Sequence, residues 1–154
     1  MTTYLSSEAH QKVALALKDY LADATLAYFK THTFHWNVEG PHFYSLHLMF
    51  EKFYETIWES LDEIAERVRA LGEKTPPNLE ALLKMASLKE SVANLDAPQM
   101  VTILHEDYLA LAKKAHEVGA IAEGFGDQVT TDIMTEKATF LEKAAWMLQA
   151  SMTK

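Results

Sequence analysis

The sequence predicts an all-α protein: a four-helix bundle with a short extra helix in the long crossover between the second and third long helices. Three observations carry this. Apolar residues recur at spacings of three and four in four separate segments. The 5 Gly and 4 Pro among 154 residues are few, and most fall between those segments. Two long helical segments, a long link and two more long segments form the order of a bundle with one crossover.

The first helix starts near Ser6 or Ser7, either of which can cap it. Its apolar face runs Val13, Leu17, Tyr20, Leu21, Ala24 and Tyr28, and seven residues further on the same face reaches His35. Gly40-Pro41 stops it. The second helix has the cleanest stripe: Phe43, Leu46, Phe50, Phe53, Ile57, Leu61, Ile64, Val68 and Leu71, with Gly72 as the C-terminal cap. Residues 73–98 contain Pro76, Pro77 and Pro98; a structureless link of this length is rare, so Asn78 is read as capping a short helix over Leu79–Met85. The third long helix is expected after Pro98, through Val101, Leu104, Tyr108, Leu111, Ala115, Val118 and Ala122, and ends at Gly124 and Gly126. The fourth is expected from about Val129 to Ser151, through Ile133, Phe140, Ala144 and Leu148. Residues 1–154 read as one domain, long enough to bury a core.

Composition narrows the function classes. The absence of Cys excludes disulfides, thiolate ligands and a cysteine nucleophile. The start, MTTYLSSEAHQK, lacks a basic stretch followed by an apolar run, and no segment approaches a membrane span, so a cytoplasmic protein is expected. The net charge of −8 favours cations and repels nucleic-acid phosphate. The first basic residue, Lys12, already lies in the first helix, and the C-terminus offers only Lys154, so DNA binding is not expected near neutral pH.

A row of polar residues borders the apolar stripe of the second helix. His47 and Glu51 are four apart and share a face, as do Asp62 and Glu66. Eleven residues separate Glu51 from Asp62, close to three turns, so both pairs fall near one side, roughly 16 Å apart along the axis. A metal needs its oxygen and nitrogen ligands within about 2–2.5 Å. One helix cannot bring the pairs together, whereas a second copy packed antiparallel about an axis near Thr56 and Ile57 can, generating the site twice. His35 can complete it. Two imidazoles with three carboxylates suit iron, zinc or manganese. Singly, each carboxylate is more simply read as a solvated helix face; the joint register of the row is what points to metal.

The run His35-Trp36-Asn37-Val38-x-Gly40-x-x-Phe43-x-x-Leu46-His47-x-x-Phe50-Glu51 resembles the signature of the Dps family, the mini-ferritins, and the later run Asp62 to Gly72 is similar to it as well. The likeness extends more loosely over the whole chain. It implies a ferritin-like fold and a metal site of His35, His47 and Glu51 from one subunit with Asp62 and Glu66 from its two-fold partner. It also implies a hollow homododecamer that oxidises ferrous iron, by preference with hydrogen peroxide, stores the ferric mineral and protects against oxidative damage. Trp36 would take up oxidising equivalents, and Asp127, Asp132 and Glu136 would line an iron-access pore at a three-fold axis. One departure stands out: the family usually carries Asp where this chain has Glu51. A competing reading is a DNA-condensing nucleoid protein with little catalytic role.

Overall fold

The computed structural model describes residues 3–152. Its helices are α1 (Ser7–Asn37), α2 (Phe43–Ala70), α3 (Leu79–Met85), α4 (Ala97–Gly124) and α5 (Gln128–Met152). α1 packs on α2 and α4, α4 pairs with α5, and α2 meets α5 more sparsely. This is the four-helix bundle with a short crossover helix that the periodicity predicts.

The ends follow local chemistry. The Ser6 hydroxyl accepts from the Ala9 amide at 3.1 Å, so Ser6 is the cap of α1. α2 closes with Gly72 at φ +85°, where the Gly72 amide donates to Arg69 and that of Glu73 to Val68. α4 begins two residues earlier than the sequence suggests. Asp96 and Gln99 form a reciprocal capping box, and Pro98 sits inside the first turn, where its missing N–H is not needed. Lys154, the last basic residue, lies outside the described residues.

The core is largely the predicted stripes facing one another: Val13, Leu17, Tyr20 and Ala24 of α1, Phe50, Phe53, Ile57 and Ile64 of α2, Leu104, Tyr108 and Leu111 of α4, and Ala144 and Leu148 of α5. Earlier in α5, Met134 and Leu141 are buried in place of the expected Ile133 and Phe140, which are half-buried. Two positions of the α2 stripe depart from the pattern. Phe43 is exposed and Leu61 half-buried.

Buried charges hold the crossover against the bundle. Asp23, on the inner face of α1, accepts from the Ser87 amide and hydroxyl, both at 2.6 Å, from the Leu88 amide at 3.0 Å, and from the Lys114 ammonium. Burial raises the Asp23 pKa, but the bonds from Lys114, Ser87 and Leu88 outweigh it and leave the group below its ordinary value. About two turns further along α1, Lys30 pairs with Asp107 at 2.6 Å and donates to the Lys89 carbonyl. At Asp107 burial outweighs the help of Lys30, so that carboxyl lies above its ordinary value. No helix among the described residues is long and apolar enough to cross a membrane.

Candidate metal centre

The Gly40-Pro41 turn folds α2 back along α1 and brings His35 against His47. The two rings stack, with centroids 3.8 Å apart and planes 16° from parallel. Nδ1 of His35 lies 2.8 Å from the His47 carbonyl oxygen, and Nδ1 of His47 lies 2.7 Å from the His35 carbonyl oxygen. A carbonyl only accepts, so both Nδ1 atoms carry the proton and donate. In neutral rings each Nε2 therefore keeps its lone pair, the arrangement a metal-binding imidazole requires. Glu51, half-buried, is one turn along α2 from His47.

Asp62 and Glu66 lie three and four turns further along α2, exposed on the surface. Asp62 lines a groove of about 690 Å³ with Leu21, Thr25, Trp58 and Leu61. Among the described residues, no three His, Asp or Glu side chains of one chain converge to hold a metal ion. The fold thus brings His35 and His47 together and leaves Asp62 and Glu66 apart from them. The fit to a metal rests on the donor set: two imidazoles with their Nδ1 protons committed, and the Glu51 carboxylate one turn from His47 on the same helix.

The fixed neighbour of Glu66 is Arg67, whose Nη2 donates to Asp127 at 2.7 Å and whose Nε donates to the Thr130 hydroxyl at 2.9 Å. Asp127 is buried and caps α5 by accepting from the Thr130 amide at 3.0 Å. This separates it from the pore group expected in the sequence. Asp132 and Glu136 are exposed on α5, while the Asp127 carboxylate is taken up by an ion pair and a helix cap. Asp132 accepts from the Gln128 side chain at 2.7 Å, and Glu136 lies 3.3 Å from the Lys137 ammonium, which also pairs with Glu63.

Sequence reasoning passed over an aromatic cluster beside the histidines. His32 stacks on Tyr54 at 3.8 Å between centroids and touches Trp36 at 4.3 Å. Tyr28 joins them through its hydroxyl, 3.0 Å from His32 Nδ1, and lies 5.0 Å from Trp58. Burial, then the charge of His35, holds His32 below its ordinary pKa; burial, then Glu51 and Glu55, holds Tyr54 above its own. The available signal was spacing: Tyr28 and His32 are four apart on α1, as are Tyr54 and Trp58 on α2.

An antiparallel four-helix bundle with one long crossover and a histidine-carboxylate row on its second helix defines a protein of the ferritin-like class. The ferritin-like domain family matches residues 14–154. A DNA protection during starvation protein from Brevibacillus brevis is 34% identical over 146 residues, covering 95% of this chain and 98% of the relative. The crystal structure of Dps from Staphylococcus aureus aligns with a TM-score of 0.90 at 35% identity, over 94% of this chain and 97% of that one. A Vibrio cholerae Dps, described as a member of a broad superfamily of ferritin-like diiron-carboxylate proteins, aligns with a TM-score of 0.93 at 30% identity, over 99% and 98%. The chain belongs to the Dps family.

Proposed function

We propose that this protein oxidises ferrous iron at centres shared between two subunits and stores the ferric product inside a hollow dodecameric shell, with hydrogen peroxide as the preferred oxidant. The observation that carries this reading is the reciprocal lock of His35 and His47, which presents two Nε2 lone pairs beside Glu51. In this reading Asp62 and Glu66 of a second copy complete the centre across a two-fold axis near Thr56 and Ile57. The substrate is ferrous iron, and zinc or manganese would compete for the same donors. The carboxylates supply negative charge that favours the ferric product over the ferrous substrate, and Trp36, against His32, stands ready to give up an electron. Asp132 and Glu136, repeated about a three-fold axis, would form rings that draw cations inward. In this reading the chain is a single ferritin-like domain, and a cytoplasmic setting, where ferrous iron and peroxide meet, suits the activity. Iron oxidation followed by absorbance, with peroxide and oxygen compared side by side, tests it. Faster oxidation by peroxide that depends on His35 and His47 is expected; a rate no greater than that of free iron overturns it.

The names of the relatives speak of DNA protection. With a net charge of −8, this chain is better suited to protecting DNA by removing iron and peroxide than by coating it.

A further inference from the structure

The aromatic cluster beside the histidines is continuous and directional. From His35, Tyr54 is 5.2 Å away between ring centroids. Tyr54 lies 6.3 Å from Tyr28, and Tyr28 lies 5.0 Å from Trp58. Trp58 lines the same groove as Asp62, one turn before it on α2. The run therefore starts at one metal half-site of the chain and ends at the other. Tyrosine and tryptophan are the side chains that lose a single electron most readily, and rings in or near contact exchange electrons far faster than groups separated by a helix length. Trp58 is 59% exposed in the chain and stands beside the two-fold axis proposed near Thr56 and Ile57, so the run ends at the surface that would face the second copy. The Tyr28 hydroxyl, 3.0 Å from His32 Nδ1, has a base positioned for the proton that an oxidised phenol must release.

We propose that Tyr54, Tyr28 and Trp58 form a one-electron relay between the two metal half-sites of a chain, with His32 taking and returning the Tyr28 proton. The proposal rests on the shared-centre reading above. In a two-fold pair, the Asp62 end of each run belongs to the other centre. When peroxide is reduced at one centre, the iron there supplies one electron. The second comes through Tyr54 from Tyr28, whose proton shifts to His32; Tyr28 is refilled from Trp58, and Trp58 from ferrous iron at the second centre. The proton then returns to Tyr28. The sum is one hydrogen peroxide, two ferrous ions and two protons giving two ferric ions and two waters, with no hydroxyl radical released.

The test uses the assembled protein, with Tyr28→Phe and Trp58→Phe as conservative variants and Trp146→Phe, on α5 away from the run, as control. In the first arm the metal-free protein is oxidised by azide radical in pulse radiolysis. The wild type and Trp146→Phe should show tryptophanyl radical converting to tyrosyl radical at a rate independent of protein concentration. Tyr28→Phe and Trp58→Phe should lose that conversion. In the second arm, ferrous protein receives limiting peroxide with a spin trap present. The two run variants should release several-fold more trapped hydroxyl radical than the wild type while binding the same amount of ferrous iron. Conversion that persists in both run variants, or is absent from the wild type, overturns the relay, as does unchanged hydroxyl release. A wild type that shows the conversion but does not oxidise iron keeps the relay and sinks the proposed function instead.

Discussion

His35 and His47 each donate an Nδ1 proton to the other's backbone carbonyl, at 2.8 and 2.7 Å, with their rings stacked across the α1–α2 turn. The bonds fix ring orientation and tautomer at once, which in the proposed shared centre would organise the pair before a partner chain arrives. Loss of either ring also leaves a backbone carbonyl of the other without its donor.

The shared centre predicts complementation. His47→Ala and Asp62→Ala should each abolish most ferroxidase activity when assembled alone. Mixed after dissociation and reassembly, they should recover roughly a quarter of the wild-type centres, because half of the random pairs are mixed and each mixed pair rebuilds one site of two. Absence of recovery, with mixed pairs shown by mass spectrometry, would refute the two-chain site.

Glu51 stands where the family usually has Asp. Glu51→Asp should retain activity, because the shorter carboxylate is what the family's centres use. Glu51→Ala should weaken iron binding by at least about 10- to 100-fold, the loss that follows removal of a group that only supports a ligand. Titration of ferrous iron by calorimetry under anaerobic conditions measures both; equal affinity for Glu51→Ala and wild type would remove Glu51 from the ligand set.

The acidic residues at the start of α5 should divide into two behaviours. Asp132→Asn with Glu136→Gln should slow iron uptake at low salt, with the difference shrinking as salt rises, because salt already screens the wild-type ring. Asp127→Ala should instead cost stability, about 3–5 kcal/mol, by leaving Arg67 without its partner and α5 without its cap. Urea unfolding at fixed subunit concentration reads the second and stopped-flow uptake the first. An Asp127→Ala protein of wild-type stability would show that this ion pair contributes nothing.

Asp23 links the crossover to acid stability. Its folded pKa is depressed, so its contribution is fully present above the unfolded value, about 3.9, and is lost as pH falls through the folded value. The stability advantage of wild type over Asp23→Asn should therefore be constant near neutrality and fade in acid, below roughly pH 4. An advantage unchanged down to the acid transition would mean that the Asp23 charge is not what holds Ser87 and Leu88.

Gel shift at low salt, without added divalent metal, is the sensitive test for DNA, because phosphate contacts are strongest there. No shift is expected at micromolar protein. A clear shift would mean that the distribution of charge on the assembled surface outweighs its net sign.

The sequence by itself determined the helices, the crossover and the register of the histidine-carboxylate row, because these depend on periodicity and on breakers that act within a few residues. Ser6, Asn78 and Gly72 mark their helix ends through bonds to neighbours in the chain. Only the tertiary structure decided which nitrogen of His35 and His47 is free, since that depends on a carbonyl delivered by the other helix. Asp127 shows the same limit from the opposite side. In sequence it is one more acidic residue before a helix; in the fold Arg67, sixty residues earlier, claims its carboxylate and buries it. Asp23 and Lys30 gave no signal on α1, where Lys12, Lys18 and Asp19 are charged as well, because their partners Ser87, Lys114 and Asp107 come from distant segments. The run from Tyr54 through Tyr28 to Trp58 likewise exists only once α1 and α2 are side by side. Burial and partnership depend on neighbours in space, and a one-dimensional pattern records only neighbours along the chain.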